Sequence, residues 1–209
     1  MNETIMIVDD SSFIVDGLVA ILKRKGYKPI PTHGGDECLE ALKTTIPDLI
    51  LLDIMMEPMD GWETLARLKS NPATKEIPVL MFSAKKITPA EAQEHSLSID
   101  DFVTKPVNPT RLMESIQRIF NRRNEVKGEA LVAQNAGVDK TLIDEYTVLR
   151  TSIEVDKNLL VILKNSTGAN TPGHVVPEED LTAMKKLEEK IKTDELRLKE
   201  INDKFTKPA

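Results

Sequence analysis

The feature that most constrains the fold is a series of five short apolar segments in the first 103 residues, which alternate with amphipathic stretches. Segments that are apolar on both faces, such as Leu49–Leu52, are typical of strands in a parallel sheet that is covered on both sides. The alternation therefore predicts an α/β domain with a flavodoxin-like, doubly wound sheet of five parallel strands in the order 2-1-3-4-5. The predicted strands are Ile5–Val8, Lys28–Pro31, Leu49–Leu52, Val79–Phe82 and Phe102–Val103.

Polar residues that could do chemistry stand where these predicted strands end, which is where doubly wound sheets bind ligands. Asp9 and Asp10 follow the first strand, Asp53 the third and Ser83 the fourth, while Lys105 lies just past the fifth. Three converging carboxylates suit Mg²⁺, and a carboxylate can also act as a nucleophile that forms an aspartyl phosphate. We therefore expect two aspartates to hold Mg²⁺, Asp53 to accept a phosphoryl group, and the lysine and the hydroxyl to stabilise that group.

The motifs that carry these residues resemble the receiver domain of two-component response regulators. They are IVDDS, LLDIMMEPMDGWE, FSA and FVTKP; Asp53 and Ser83 are 30 residues apart, and Ser83 and Lys105 are 22 apart. The resemblance covers roughly residues 3–121. It implies a signalling phosphoacceptor and not a conventional enzyme: a sensor histidine kinase donates phosphate to Asp53 with Mg²⁺, and only the phosphorylation and dephosphorylation of that aspartate are self-catalysed.

The resemblance also assigns roles to further positions. It places the backbone carbonyl of Met55 beside Asp9, Asp10 and Asp53 as a metal ligand, and it makes Ser83 and Phe102 a switch pair. Three residues fall at positions that govern access to the acyl phosphate: Met55, Ala84 and Lys85. An apolar side chain at position 55 and a cation at position 85 are expected to slow loss of the phosphoryl group. The resemblance further implies a cis Lys105-Pro106 peptide.

One position departs from the pattern of the family. The family often has proline four residues after the phosphoacceptor, but this chain has Glu57 there and Pro58 next. The spacing to Asp60 and Gly61 is unchanged, so we expect a locally altered turn beside an intact site.

The pattern changes after about residue 121, which predicts three regions: a receiver domain over 1–121, a linker over 122–138 and a helical hairpin over 139–209. The linker is mixed in composition, and we expect at most a short helix around 129–135 in it. In the hairpin, apolar residues recur every three or four positions along two segments. Asp156 and Asp194 interrupt the two apolar seams, so a strict coiled coil is disfavoured and the two aspartates are candidates for setting the register.

Charge argues that this tail reads out the signal through protein contacts. Residues 139–209 carry 14 acidic and 12 basic side chains, a net charge of −2, whereas a DNA-binding module needs a locally basic face. We expect an unidentified downstream protein as partner, or a homodimer through the C-terminal helices or through the 89–121 face. Two alternatives stay open: a DNA-binding transcriptional regulator, and a receiver fused to a phosphotransfer-type helical module. The position of His174 in a predicted loop, and not on a helix face, argues against the second.

The remaining composition predicts a cytoplasmic protein without membrane insertion. Apolar runs are far shorter than the roughly 20 residues that a spanning helix needs. The first ten residues lack a basic n-region, and the single cysteine, Cys38, fits a reducing compartment. Helix packing is the role that we expect for Cys38.

Overall fold

The computed structural model describes residues 2–84, 87–169 and 175–205. These divide into two compact units: a sheet unit of Met1–Lys86 with Ser98–Ile116, and a helical unit of Ile87–Leu97 with Gln117–Ala209. None of the helices in the described ranges is long and apolar enough to cross a membrane.

The sheet unit contains five parallel strands in the order β2-β1-β3-β4-β5, which confirms the predicted fold class and strand order. The strands are β1 (Thr4–Val8), β2 (Lys28–Thr32), β3 (Leu49–Asp53), β4 (Val79–Ser83) and β5 (Asp101–Thr104), and the first three helices are α1 (Ser12–Arg24), α2 (Gly35–Ala41) and α3 (Gly61–Ser70). All five residues of β3 and of β4 are buried, as expected for central strands covered on both faces. Cys38 is buried in α2, with its Sγ 3.6 Å from the Sδ of Met6 on β1, so the predicted packing role is confirmed.

The turn between β3 and α3 is held by two local features. Asp60 caps α3 by accepting a hydrogen bond of 2.8 Å from the backbone N–H of Glu63, as short acidic residues commonly do at a helix start. The N–H of Gly61 donates to the carbonyl of Ile54 at 2.9 Å. The start of α3 is thereby fastened to the end of β3, and the position of Asp53 depends on this turn.

The helical unit contains α4 (Pro89–His95), the second half of α5 (Pro109–Asn135), α6 (Lys140–Ser166) and α7 (Glu178–Phe205). Helix α4 begins with a capping box formed by Thr88 and Glu91, and it lies against α6 and α7. Helices α6 and α7 pack along each other, which confirms two long C-terminal helices. His174, which the sequence placed in a loop, falls outside the described residues.

The expected irregular linker is wrong as secondary structure, because α5 continues as one helix through Asn135. Side chains of α6 hold this second half of α5. Arg122, which is buried, lies 3.3 Å from Glu154, and the hydroxyl of Tyr146 donates to Glu129 at 2.5 Å. These contacts offset the weak helix propensity of Gly128 in the middle of the segment.

Candidate functional site

The site lies at the carboxyl edge of the sheet, where Lys105 joins two aspartates from different strands. Its Nζ donates one hydrogen bond of 2.7 Å to Oδ2 of Asp9 and another of 2.7 Å to Oδ2 of Asp53. Both aspartates are buried, and the lysine side chain is only 14% exposed. Water screens these ion pairs little, so one cation balances two closely spaced negative charges.

Asp10 completes an acidic cluster. One carboxylate oxygen from each of Asp9, Asp10 and Asp53 can be chosen so that all three lie within 4.8 Å of one another. Asp10 is exposed, and its Oδ2 accepts a long hydrogen bond of 3.3 Å from the N–H of Glu57. The structure thus brings together the predicted acidic trio and the predicted lysine, which come from three strand ends far apart in the sequence.

The buried carboxyl of Asp53 uses only one of its two oxygens, Oδ2, in the side-chain hydrogen bond to Lys105. Burial raises the pKa of its carboxyl, and the hydrogen bond and charge of Lys105 oppose that rise. The backbone N–H of Met55 also lowers that pKa, and the second oxygen, Oδ1, is buried without a side-chain hydrogen-bond partner among the residues that the structure describes. Buried carboxylate oxygens normally have partners, so Oδ1 is available to a ligand such as a metal ion.

The residues present fit a bound Mg²⁺. Three carboxylates with oxygens close together form a hard-oxygen donor set, and Oδ1 of Asp53 has no side-chain partner among the described residues. When bound there, the ion would supply positive charge for a phosphoryl group. Asp9, Asp10 and Asp53 are the side chains that would hold it.

The predicted switch residues lie in the core beside this edge. Ser83 and Phe102 are both buried, and the backbone N–H of Lys105 donates to the carbonyl of Ser83 at 2.8 Å. This bond ties the residue that ends β4 to the lysine. Ala84 is exposed, whereas Lys85 lies outside the described residues.

The loop after β3 contains Glu57 and Pro58, the pair at which the sequence departs from the family pattern. The Glu57-Pro58 peptide is cis, and so is the Lys105-Pro106 peptide, which the resemblance implied. The side chain of Met55 is 56% exposed. The loop therefore presents an apolar side chain to solvent beside the acidic cluster.

Two contributors to the site were missed by sequence reasoning. The ring of Phe82 lies beneath Lys105, whose Nζ is 4.6 Å from the ring centroid, close enough for a cation–π contact. A Cβ placed on Gly61 would come within 2.1 Å of the carbonyl oxygen of Asp53. The Asp60-Gly61 pair, which keeps its family spacing, could have indicated the role of Gly61. Nothing local in the sequence indicates that Phe82 lies under Lys105.

Comparisons with known proteins agree with this geometry. The chain matches the family described as "Response regulator receiver domain" over residues 5–117 and the one described as "Metanogen output domain 2" over residues 122–209. It is 32% identical over 143 residues to the alkaline phosphatase synthesis transcriptional regulatory protein PhoP of Bacillus subtilis, covering 68% of this chain and 58% of that protein. It is 34% identical over 113 residues to protein PilG of Pseudomonas aeruginosa, covering 54% of this chain and 84% of that protein.

A solved structure shares the fold of the sheet unit. The chemotaxis protein CheY4 of Vibrio cholerae matches with a TM-score of 0.54 and 27% identity, covering 57% of this chain and 99% of that one. The chain spans less than two thirds of the length of PhoP, so the match to that relative does not extend over the whole of it. Since the receiver family matches more than half of the 209 residues, the chain belongs to the response regulator receiver family.

Proposed function

We propose that this protein is a two-component response regulator that accepts a phosphoryl group on Asp53 from a sensor histidine kinase. The observation that carries the proposal is the buried carboxylate of Asp53, which accepts a hydrogen bond from Lys105 and lies in one cluster with the carboxylates of Asp9 and Asp10. A carboxylate oxygen of Asp53 attacks the phosphorus of the donor, a P–O bond forms and the bond to the donor's leaving atom breaks. Lys105 then balances charge on the phosphoryl oxygens.

The metal that this transfer requires is Mg²⁺ in our proposal, held by Asp9, Asp10, Asp53 and the backbone carbonyl of Met55. The three carboxylates support this ligand set through their mutual spacing. Lys105, which donates to both Asp9 and Asp53, is placed to pair with an oxygen of the phosphoryl group.

We further propose that Ser83 and Phe102 report the arrival of the phosphoryl group. The hydroxyl of Ser83 hydrogen-bonds that group, and Phe102 adjusts with it. Helix α4, which follows Ser83 in the chain and precedes Phe102, packs with α6 and α7 in the helical unit. That packing supports an output through residues 89–121 and the C-terminal helices, read by a downstream protein or by a second copy.

Acyl-phosphate treatment tests the proposal directly. The protein is incubated with acetyl phosphate and Mg²⁺, and phosphorylation is measured by intact mass and by mobility on a phosphate-affinity gel. We expect one added phosphoryl group, lost in Asp53→Ala and retained in Asp16→Ala, a matched change of an exposed aspartate on α1. Phosphorylation that persists in Asp53→Ala would contradict the assignment.

The output is tested on the same samples by light scattering and small-angle scattering. We expect phosphate to change the mass or shape of the wild type and to leave Asp53→Ala unchanged. No change in the wild type would contradict an output through the C-terminal helices and would favour direct docking of the receiver.

A transcriptional regulator is the second candidate, because the relative PhoP is named as one. The net charge of −2 over residues 139–209 opposes it, since phosphate contacts dominate DNA affinity. Binding of the phosphorylated protein to random duplex DNA at low salt would favour this candidate over a protein-contact output.

A further inference from the structure

Asp156 is a charged residue at a fully buried position of α6, where α6 packs against α7. Its Oδ2 accepts a hydrogen bond from Nζ of Lys190, which also donates to Oδ2 of Asp194 at 3.0 Å. The other oxygen of Asp156, Oδ1, has no hydrogen-bond partner within the described ranges. Helix α6 therefore buries a carboxylate that depends on a single side chain of α7.

The environment of Lys190 shows how strongly the two helices are coupled there. Burial lowers the pKa of its ammonium, yet the hydrogen bonds that it donates to Asp156 and Asp194, together with their charges, outweigh burial and leave that pKa above its usual value. The lysine thus stays charged at the seam. The cluster carries two negative charges against one positive charge.

Stability does not explain such a cluster. Moving two charges out of water costs about as much as their attraction returns, and a well-packed apolar pair at the same place is often at least as stable. Buried positions on either side of the cluster are apolar, among them Leu159, Leu163, Leu187 and Ile191. A buried charge does, however, discriminate between helix partners, because a partner without an opposite charge at that position leaves it unpaired in the interior.

The surroundings of Asp156 on its own helix define which partners it tolerates. The residues one turn away on either side are uncharged, and so are those two turns away: Ser152, Ile153, Leu159 and Leu160, then Leu149 and Leu163. Two lysines of α6 border this face, and each contacts a glutamate of α7: Lys157 lies 2.6 Å from Glu195, and Lys164 lies 2.7 Å from Glu188. If α6 packed through this face against a parallel α6 of a second copy in the same register, the two Asp156 carboxylates would face each other, and these two lysines would lose their partners on α7.

We propose that Asp156 restricts α6 to pairing with α7 and excludes pairing of α6 with α6 of a second copy. Lys190 is the matching residue on α7. Arg197 of α7 also pairs with Glu145 of α6 through two hydrogen bonds of 2.6 and 2.8 Å. This pair is more exposed, so it contributes less to the preference of α6 for α7. Any self-association of this protein then uses surfaces other than the seam between α6 and α7.

The test is energy transfer between copies labelled on α6. A cysteine introduced as Val161→Cys, at a position 56% exposed, carries donor or acceptor dye in separate preparations that are then mixed; Cys38 is buried and stays in place. The wild-type sequence at Asp156 and Lys190 should give no transfer. The double variant Asp156→Leu with Lys190→Leu should unfold at the same temperature or higher and give transfer that rises with concentration.

Three controls make the result specific. Lys157→Leu with Glu195→Leu, a matched replacement of a more exposed pair, should give no transfer. Lys190→Leu alone should lower the unfolding temperature, because it leaves the buried carboxylate of Asp156 without a countercharge. Lys190→Arg keeps the charge, so its unfolding temperature should stay close to that of the wild type. Asp156→Asn keeps the shape and removes the charge, so it should also give transfer even if the double variant does not fold.

Two outcomes would overturn the proposal. Transfer in the wild type as strong as in the double variant would show that Asp156 does not prevent self-pairing of α6. A double variant that is less stable and shows no transfer, together with no transfer for Asp156→Asn, would show that the cluster stabilises the packing of α6 and α7 and does not select the partner.

Discussion

Replacing Gly61 with alanine should disable the phosphorylation site without changing any charged or donor group. A Cβ at this position would lie 2.1 Å from the carbonyl oxygen of Asp53, 2.7 Å from Cα of Ile54 and 2.9 Å from the carbonyl carbon of Asp53. Ordinary contact begins at about 3.4 Å, so the nearest atom would have to move by roughly 1.3 Å. All three neighbours are backbone atoms, so no flexible side chain can absorb the shift.

The expected magnitudes follow from that displacement. Overpacking of this kind typically costs about 1–3 kcal/mol, against which alanine in a helix recovers at most about 1 kcal/mol over glycine. The unfolding free energy should therefore fall by a net amount on the order of 1–2 kcal/mol. Because a shift of about 1 Å in a reacting group can cost roughly 10²-fold in rate, phosphorylation of Asp53 should slow by one to two orders of magnitude.

Gly17→Ala is the matched control, since nothing lies within 4 Å of a Cβ at this helical position on α1. It should raise the unfolding free energy by up to about 1 kcal/mol and leave the phosphorylation rate unchanged. Both quantities can be followed by denaturant titration and by phosphate-affinity gels, with the single tryptophan, Trp62, as a fluorescent reporter next to the substitution. Wild-type stability and rate in Gly61→Ala would refute the packing argument.

Three further predictions follow from buried and exposed groups in the sheet unit. Burial raises the pKa of the Cys38 thiol to about 12, from an ordinary pKa of 9.0. The stability that the buried neutral thiol contributes is therefore complete below pH 9.0 and is lost as pH rises from there through 12. The unfolding free energy of the wild type should fall between pH 8 and pH 10, and Cys38→Ala should lose this part of the decrease. Phe13, which is 86% exposed in the first turn of α1, should contact the kinase: Phe13→Ala should slow transfer from the cognate kinase but not from acetyl phosphate, and equal slowing of both would contradict this. Met55→Asn should shorten the lifetime of the phosphorylated protein, because an amide at this exposed position can hold a hydrolytic water, and an unchanged dephosphorylation rate would remove that role.

The sheet and most of the site were predictable because their signals are local. Each strand is a short apolar run, and Asp9, Asp53 and Ser83 come at or directly after a strand end, so parallel pairing alone puts them on one edge. The same reasoning failed for residues 122–135. Their mixed composition and Gly128 suggested an irregular linker, but the contacts of Arg122 and Tyr146 that support a helix there join residues far apart in the chain.

The sequence alone therefore predicted the class of domain and the acidic trio, because these depend on periodicity and on spacing within about a hundred residues. The strand order followed from the flavodoxin-like fold that five such units adopt. Only the tertiary structure decided that Lys105 bridges Asp9 and Asp53, that Gly61 touches the backbone of Asp53, and that Asp156 meets Lys190. Long side chains and close backbone approaches take their partners from how distant segments pack. A local pattern can place such a residue at an edge or in a seam, but the group that it contacts is set when the chain folds.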